Sequence, residues 1–394
     1  MVYIVIIIIL LLLSYKYDIK GENGNKKFWS RVIVAIFILL AGMRYRLGVD
    51  TTRYLYKFYH DVPYLWELTE DNFYFGSDPL FMLLNSVVLS LGGRFFIVQF
   101  LQSAFVNILL YKYLKRHTSY VITSLFFYFI WQYYGYNMEE MRASMALVVC
   151  LFGNDYCIEK KWGKAILLYV IASLFHISAV VCIMTPLILW LRFDFKGLIV
   201  CVLIFGLSIF IIPYIEGYMY LLEFSYAVSS KVNAYMNNEI HTESGLNILG
   251  YVTHIIMYLY PVISILKIKK VDKKNQLIKL EPFLMIAIII AIINLRLPLV
   301  YRYLHFYAIY IILFVSNLSV SLIKGNARTH NLNQSLVGYI LLFPLFFLMI
   351  KPNFDVNLYS RFIPYSSIIE KKIDRQRELT YRELDSYSAT PNEY

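Results

Sequence analysis

Apolar runs recur along this sequence from one end to the other, at 1–14, 30–43, 95–113, 119–135, 142–158, 197–214, 246–266, 281–296, 299–323 and 335–350. Roughly 20 helical residues cross the hydrocarbon core of a bilayer, so a series of such runs reads as repeated membrane crossing. No alternating barrel pattern accompanies them, and an unpaired backbone group costs several kcal/mol in lipid, which leaves helices as the spanning element. The expectation is an all-α, polytopic integral membrane protein with about 12 transmembrane helices once two irregular stretches are counted. Composition agrees, since 59% of the 394 residues are hydrophobic and only 16% charged, where soluble domains stay nearer half apolar. The first run, Met1 to Leu13, lacks a basic leader and a small-residue cleavage site, so it is expected to be a span and not a removable signal peptide.

The formal net charge of +11 does not point to nucleic acid, because the basic residues sit in short loops between apolar runs, where cytoplasmic loops collect Lys and Arg. Lys16–Arg31, Lys112–Arg116, Lys160–Lys164, Arg192–Lys196, Lys267–Lys279 and Lys324–Arg328 are expected inside the cell. The 44–78 and 215–245 stretches lean acidic and are expected outside. Parity then isolates two awkward segments. The run Ala165–Leu191, of about 27 residues, is long for one crossing and short for two, so a broken hairpin with its apex near His176 is expected. Pro79–Gly93 is expected to enter and leave on one side. Broken helices survive at membrane depth only where protein covers them or where they line a wet cavity, so an outward-facing cavity is expected. Residues 1–369 read as one membrane domain and 370–394 as a charged, disordered or loosely helical tail.

Four clusters carry possible chemistry. Arg44, Arg46, Gly48, Asp50, Arg53 and Tyr54 crowd a membrane boundary. They can be an interfacial belt of snorkelling arginines, or a pair of guanidiniums gripping a diphosphate beside an aspartate that accepts a proton. Glu139, Glu140 and Arg142 follow the aromatic strip Trp131, Tyr133, Tyr134 and Tyr136. Glu139 and Arg142 can form a local ion pair worth a few tenths of a kcal/mol, or the strip can stack on sugar rings beside them. His176 is an ionisable group inside an apolar run, either a neutral residue bonded to a carbonyl or a proton shuttle. Arg296 and Arg302, with His305 on the same helix face as Arg302, form the fourth cluster, and Pro364–Tyr365 can close an outer rim.

The chain carries no phosphate-binding glycine loop, no dinucleotide fingerprint, no His-Glu-x-x-His helix and no Gly-x-Ser-x-Gly elbow. ATP-driven and zinc-hydrolytic chemistry are thereby disfavoured, and neither a metal nor a cofactor is expected. The four cysteines, Cys150, Cys157, Cys182 and Cys201, lie in apolar segments as packing residues.

The ordered set Arg46-x-Gly48-x-Asp50…Tyr54, then Arg142 and Ala146, then Phe175-His176-x-Ser178-Ala179, then Arg302, then Pro364-Tyr365, resembles the EpsG family, which groups with Wzy-type polymerases. The resemblance implies a membrane glycosyltransferase that joins oligosaccharide repeat units carried on undecaprenyl diphosphate at the outer face of the bacterial cytoplasmic membrane. It also implies partnership with a flippase and a chain-length regulator. Bottom-up chemistry is compatible: a lipid diphosphate is a good leaving group, so cationic donors, a base and a shaped cavity suffice. On this reading Arg46, Arg142 and Arg302 hold the diphosphates, and Asp50 or His176 activates the acceptor hydroxyl. A flippase, a ligase or acyltransferase, and a scaffold of a capsule-assembly complex remain alternatives.

Overall fold

The computed structural model describes residues 2–22, 24–70, 72–73, 78–194, a few positions between 196 and 207, 248–294, 300–324, 332–350 and 361–383. Among these the chain is all-helical. It divides into two compact units, 1–186 with 319–394, and 187–318, where the sequence suggested one continuous membrane domain.

The first unit contains α1 (Val2–Ser14), α2 (Lys26–Gly42), α3 (Val49–His60), α4 (Pro79–Ser90), α5 (Phe95–His117), α6 (Val121–Trp131), α7 (Met141–Ile158) and α8 (Trp162–Phe175), and a unit boundary cuts α9 (Thr185–Ile188) after Pro186. In the second lie α10 (Ile248–Val271), α11 (Glu281–Asn294) and α12 (Tyr301–His305). The other unit boundary falls inside α13 (Ala308–Lys324), and α14 (Leu332–Ile350) and α15 (Arg375–Glu383) belong to the first unit. Most sequence-predicted spans fall on these helices, while most of 197–214 lies outside the described residues. Four helical segments among the described residues are long and apolar enough to cross a membrane: Val2–Ile19, Phe95–His117, Met141–Ile158 and Gln276–Asn294. The other apolar helices are shorter, so the expected count of twelve is not reached by length alone.

Helix α1 shows why water is not the solvent of this unit. Tyr3, Ile6, Leu10 and Ser14 are buried, whereas Ile4, Ile8 and Leu12, spaced four apart on another face, are exposed. A stripe of large aliphatic side chains turned outward is stable against hydrocarbon and not against water.

Helices α2 and α5 meet where Gly42 leaves room for Phe100, since a Cβ at Gly42 would stand 2.7 Å from Phe100 Cδ2. Several polar groups inside this packing bond to one another. Asn107 on α5 donates to Asn137 Oδ1 at 2.7 Å, and Asn137 donates to Tyr128 OH at 2.8 Å and to Tyr133 O at 3.0 Å. Gln102 donates to Tyr136 O and Ser144 Oγ, both at 3.0 Å. These bonds pin the π-helical turn Gly135–Glu139 between α6 and α7, the kind of irregular turn that recurs at functional sites.

The Ala165–Leu191 run is a broken hairpin, as the sequence predicts. Helix α8 ends at Phe175, His176 is extended, and a 3-10 helix follows over Ile177–Met184. Tyr169 before the break and Thr185 after it both reach Asn154 Oδ1, at 2.8 and 3.4 Å. Two residues on opposite sides of His176 can share one acceptor on α7 only if the chain reverses between them. Helix α4, of 12 residues, extends about 18 Å, well under the roughly 30 Å hydrocarbon thickness.

Within the stretch read from sequence as a disordered or loosely helical tail, α15 forms and docks through Tyr381, whose hydroxyl donates to Arg46 O at 3.0 Å, and through Glu378, which pairs with Arg46. Its low aliphatic content concealed buried polar and aromatic anchors. Of the remaining tail, residues 384–394 lie outside the described residues.

In the second unit, Leu191, Met285 and Ile289 form a small core. Glu281, fully buried, is held by Lys269 and by the Phe193 N–H.

Candidate active site

The Arg44–Tyr54 stretch folds into a turn followed by a helix. Gly48 has φ +93°, and a Cβ there would lie 2.2 Å from Met138 O, so only glycine fits. Its closeness to the π-helical turn brings Glu139 beneath the N-terminus of α3. The carboxylate accepts the Val49 and Asp50 N–H groups at 3.1 and 2.9 Å, satisfying donors left open at a helix start. Burial, reinforced by the Asp50 carboxylate, raises the Glu139 pKa to about 7, against the opposing pull of Arg361 and the two backbone N–H groups. Asp50 itself is partly exposed and faces Arg53 at 3.6 Å.

Arg142 opens α7 immediately after this turn. It does not pair with Glu139. Its Nη1 donates to Asp78 Oδ2 at 2.5 Å, its Nε donates to Tyr54 OH at 3.1 Å, and its guanidinium lies 5.3 Å from the centre of the Tyr54 ring. Burial pushes the Tyr54 hydroxyl up to about 12 despite the nearby Arg142 charge, so it remains a neutral partner.

His176 arrives from the hairpin apex. Its Nδ1 stands 3.3 and 3.4 Å from the two Asp78 oxygens, and its Nε2 stands 3.3 Å from Ser178 Oγ. The Ile177 N–H also donates to Asp78 Oδ1, at 3.2 Å. Burial alone would raise the Asp78 carboxyl, but the His176 hydrogen bond and the Arg142 charge outweigh it and hold the group below its usual range.

Of the residues marked in the sequence, the fold therefore brings Arg142 and His176 onto one carboxylate and sets Tyr54 against Arg142. Asp50, close enough to raise Glu139, completes the neighbourhood with it. Asp78, the centre of the arrangement, was missed. Its sequence signals are an acid directly before Pro79 at a helix start, and an acid at the edge of an apolar run. Glu140 supplies the junction between the π-helical turn and α7, its carbonyl accepting the Ser144 N–H at 2.8 Å.

Arg44 and Arg46 are differently employed. Arg44 is fully buried and donates to Ala41 O and Thr51 Oγ1. Arg46 forms a bidentate pair with Glu378, at 2.8 and 2.6 Å. Both guanidiniums hold the chain together in this arrangement, where the sequence suggested a grip on diphosphate. Tyr365 OH donates to Leu40 O at 3.0 Å, tying the closing Pro-Tyr segment to α2. Arg302 lies on α12 in the second unit, and Arg296 lies outside the described residues. Two apolar cavities, of about 280 and 460 Å³, occur elsewhere in the first unit. Among the described residues no group of three or more His, Cys, Asp or Glu side chains is placed to hold a metal ion. Cys150, Cys157 and Cys182 are buried, unbridged packing residues.

The outward apolar stripes and the short, broken helices around an ion-paired cluster define a membrane-embedded helical protein. The chain belongs to the EpsG family, whose profile matches residues 27–367. Membership marks it as an exopolysaccharide-related, polymerase-type membrane protein of the glycosyltransferase kind in general. Neither the curated proteins nor the solved structures contain a match to it.

Proposed function

We propose that this protein polymerises oligosaccharide repeat units carried on undecaprenyl diphosphate into an exopolysaccharide, with its reaction centre at the outer face of the bacterial cytoplasmic membrane. The observation that carries this reading is the convergence of Arg142 and His176 on Asp78, with Tyr54 bonded to the Arg142 guanidinium, from three separate helical elements. An acceptor-sugar hydroxyl attacks the anomeric carbon of the donor unit. The bond from that carbon to the phosphate oxygen breaks, and the hydroxyl proton passes to Asp50 or His176. The electron pair leaves with undecaprenyl diphosphate, whose developing charge the Arg142 fork neutralises. Tyr54 keeps the guanidinium plane aligned, and its ring offers an apolar face to a sugar. A flippase and a chain-length regulator are the partners that the family resemblance implies.

Reconstitution of the purified protein with lipid-linked repeat units tests the reading. New glycosidic bonds, lost in Arg142→Ala, are expected. Transbilayer movement of the lipid without bond formation would instead identify a flippase, and full polymerisation by Arg142→Ala would remove the role given to that residue.

A further inference from the structure

We infer that Asp78 is the positioning residue of the transfer step, fixing His176 as the base that faces the acceptor hydroxyl and holding Arg142 in register with it. The inference rests on the polymerase reading above and narrows it, since that reading leaves Asp50 and His176 as equal candidates.

The layering of the cluster is the first argument. The Asp78 side chain is 5% exposed, whereas His176 and Arg142 above it are 16% and 34% exposed. A buried carboxylate under two more open groups cannot itself meet a large glycan, but it dictates where those groups point. Its oxygens take the Arg142 Nη1, the Ile177 N–H and the His176 Nδ1, so its acceptor capacity is committed to fixing neighbours.

Tautomerism is the second. An ionised carboxylate only accepts hydrogen bonds, so the Nδ1 facing it must carry a proton, and the neutral imidazole is left with its lone pair on Nε2. That nitrogen faces Ser178 Oγ at 3.3 Å. A hydroxyl therefore already occupies the position where an acceptor hydroxyl would surrender its proton. The Asp50 carboxylate is more open, 40% exposed, and turned to Arg53 on the same helix.

Backbone conformation makes the idea testable with one substitution. Asp78 has φ 55°, a left-handed geometry that Asp and Asn tolerate better than other residues carrying a Cβ. Asp78→Asn thus removes charge without adding backbone strain.

The full-length protein in lipid nanodiscs, assayed with purified lipid-linked repeat units, should show kcat reduced about 100- to 10,000-fold in Asp78→Asn, the range for loss of general-base function. The donor KM should change far less than in Arg142→Lys, and Asp78→Glu should recover part of kcat. In parallel, imidazole 15N NMR of the wild type, with the His176 signals assigned by their absence in His176→Gln, should show the Nδ1–H tautomer, and Asp78→Asn should lose it. An Nε2–H tautomer in the wild type overturns the inference without any variant having to fold. So does an Asp78→Asn enzyme that retains kcat. If the wild type forms no glycosidic bonds, the polymerase reading fails, and the tautomer measurement still decides whether Asp78 orients His176.

Discussion

Glu139 accepts the backbone N–H of Asp50 at 2.9 Å, so the carboxylate that ends the π-helical turn also starts the helix carrying Asp50 and Tyr54. The groups facing it are the Asp50 carboxylate, the Arg361 guanidinium at 4.0 Å and the two backbone N–H groups of Val49 and Asp50. Burial and Asp50 together leave the ionised form disfavoured in the folded state. Because the folded-state pKa, about 7, lies above the ordinary carboxylate value, its stabilising contribution is fully present below that ordinary range. It is lost as pH rises through about 7. Thermal melts of wild type and Glu139→Gln between pH 5 and pH 8.5 should therefore shift in favour of the glutamine variant as pH increases. A constant difference across that range would show that Glu139 does not titrate there.

Gly48 carries the junction between α3 and the turn. Alanine there meets both a positive φ and a contact of 2.2 Å with Met138 O, and backbone oxygen cannot move aside without dragging Glu139 with it. A loss of about 3 kcal/mol or more is expected, read as a lower melting temperature in detergent. Activity should fall further than stability alone explains, because Tyr54 and Glu139 move apart. Unchanged melting would show that the turn can rearrange.

Arg46 and Glu378 are separated by 332 residues in sequence and joined by two hydrogen bonds. The arginine side chain is 4% exposed, so Glu378→Gln removes a charged partner from a buried guanidinium and should cost about 3–5 kcal/mol. Replacing both with methionine should recover most of that stability, since paired apolar groups of similar volume often replace a buried ion pair without loss. A double variant no better than Glu378→Gln would mean that the guanidinium has another essential partner.

Much of the architecture was legible because apolar runs announce buried or membrane-facing helices, even where those helices are short. The break at His176 followed from a run that fits neither one crossing nor two, and the chain does reverse there, with Tyr169 and Thr185 meeting at Asn154. Arg142, Tyr54 and His176 were legible as ionisable or amphipathic groups at membrane boundaries. Asp78 was not, because it meets Arg142 across 64 residues and His176 across 98, and no local pattern encodes such a meeting. The partners of Arg44 and Arg46 were hidden for the same reason. A cluster of guanidiniums has the same sequence appearance whether its partner is a substrate phosphate or a glutamate on a distant helix.

The sidedness of the reaction centre can be tested by labelling. Asp50 and Ser178 both belong to the neighbourhood of Arg142, whereas Lys161 immediately precedes α8, whose 14 residues carry it about 21 Å from the hairpin apex. In intact cells, single cysteines replacing Asp50 and Ser178 should react with a membrane-impermeant maleimide, with the native cysteines changed to alanine. A cysteine at Lys161 should react only after permeabilisation, as its basic loop requires on the cytoplasmic side. The physical requirement is stringent, because a carboxylate, an imidazole and a guanidinium act on one glycosyl diphosphate only from a shared aqueous compartment. Labelling of positions 50 and 178 from opposite faces would dissolve the cluster as a reaction centre, and labelling of both from inside would place polymer synthesis on the wrong side for export.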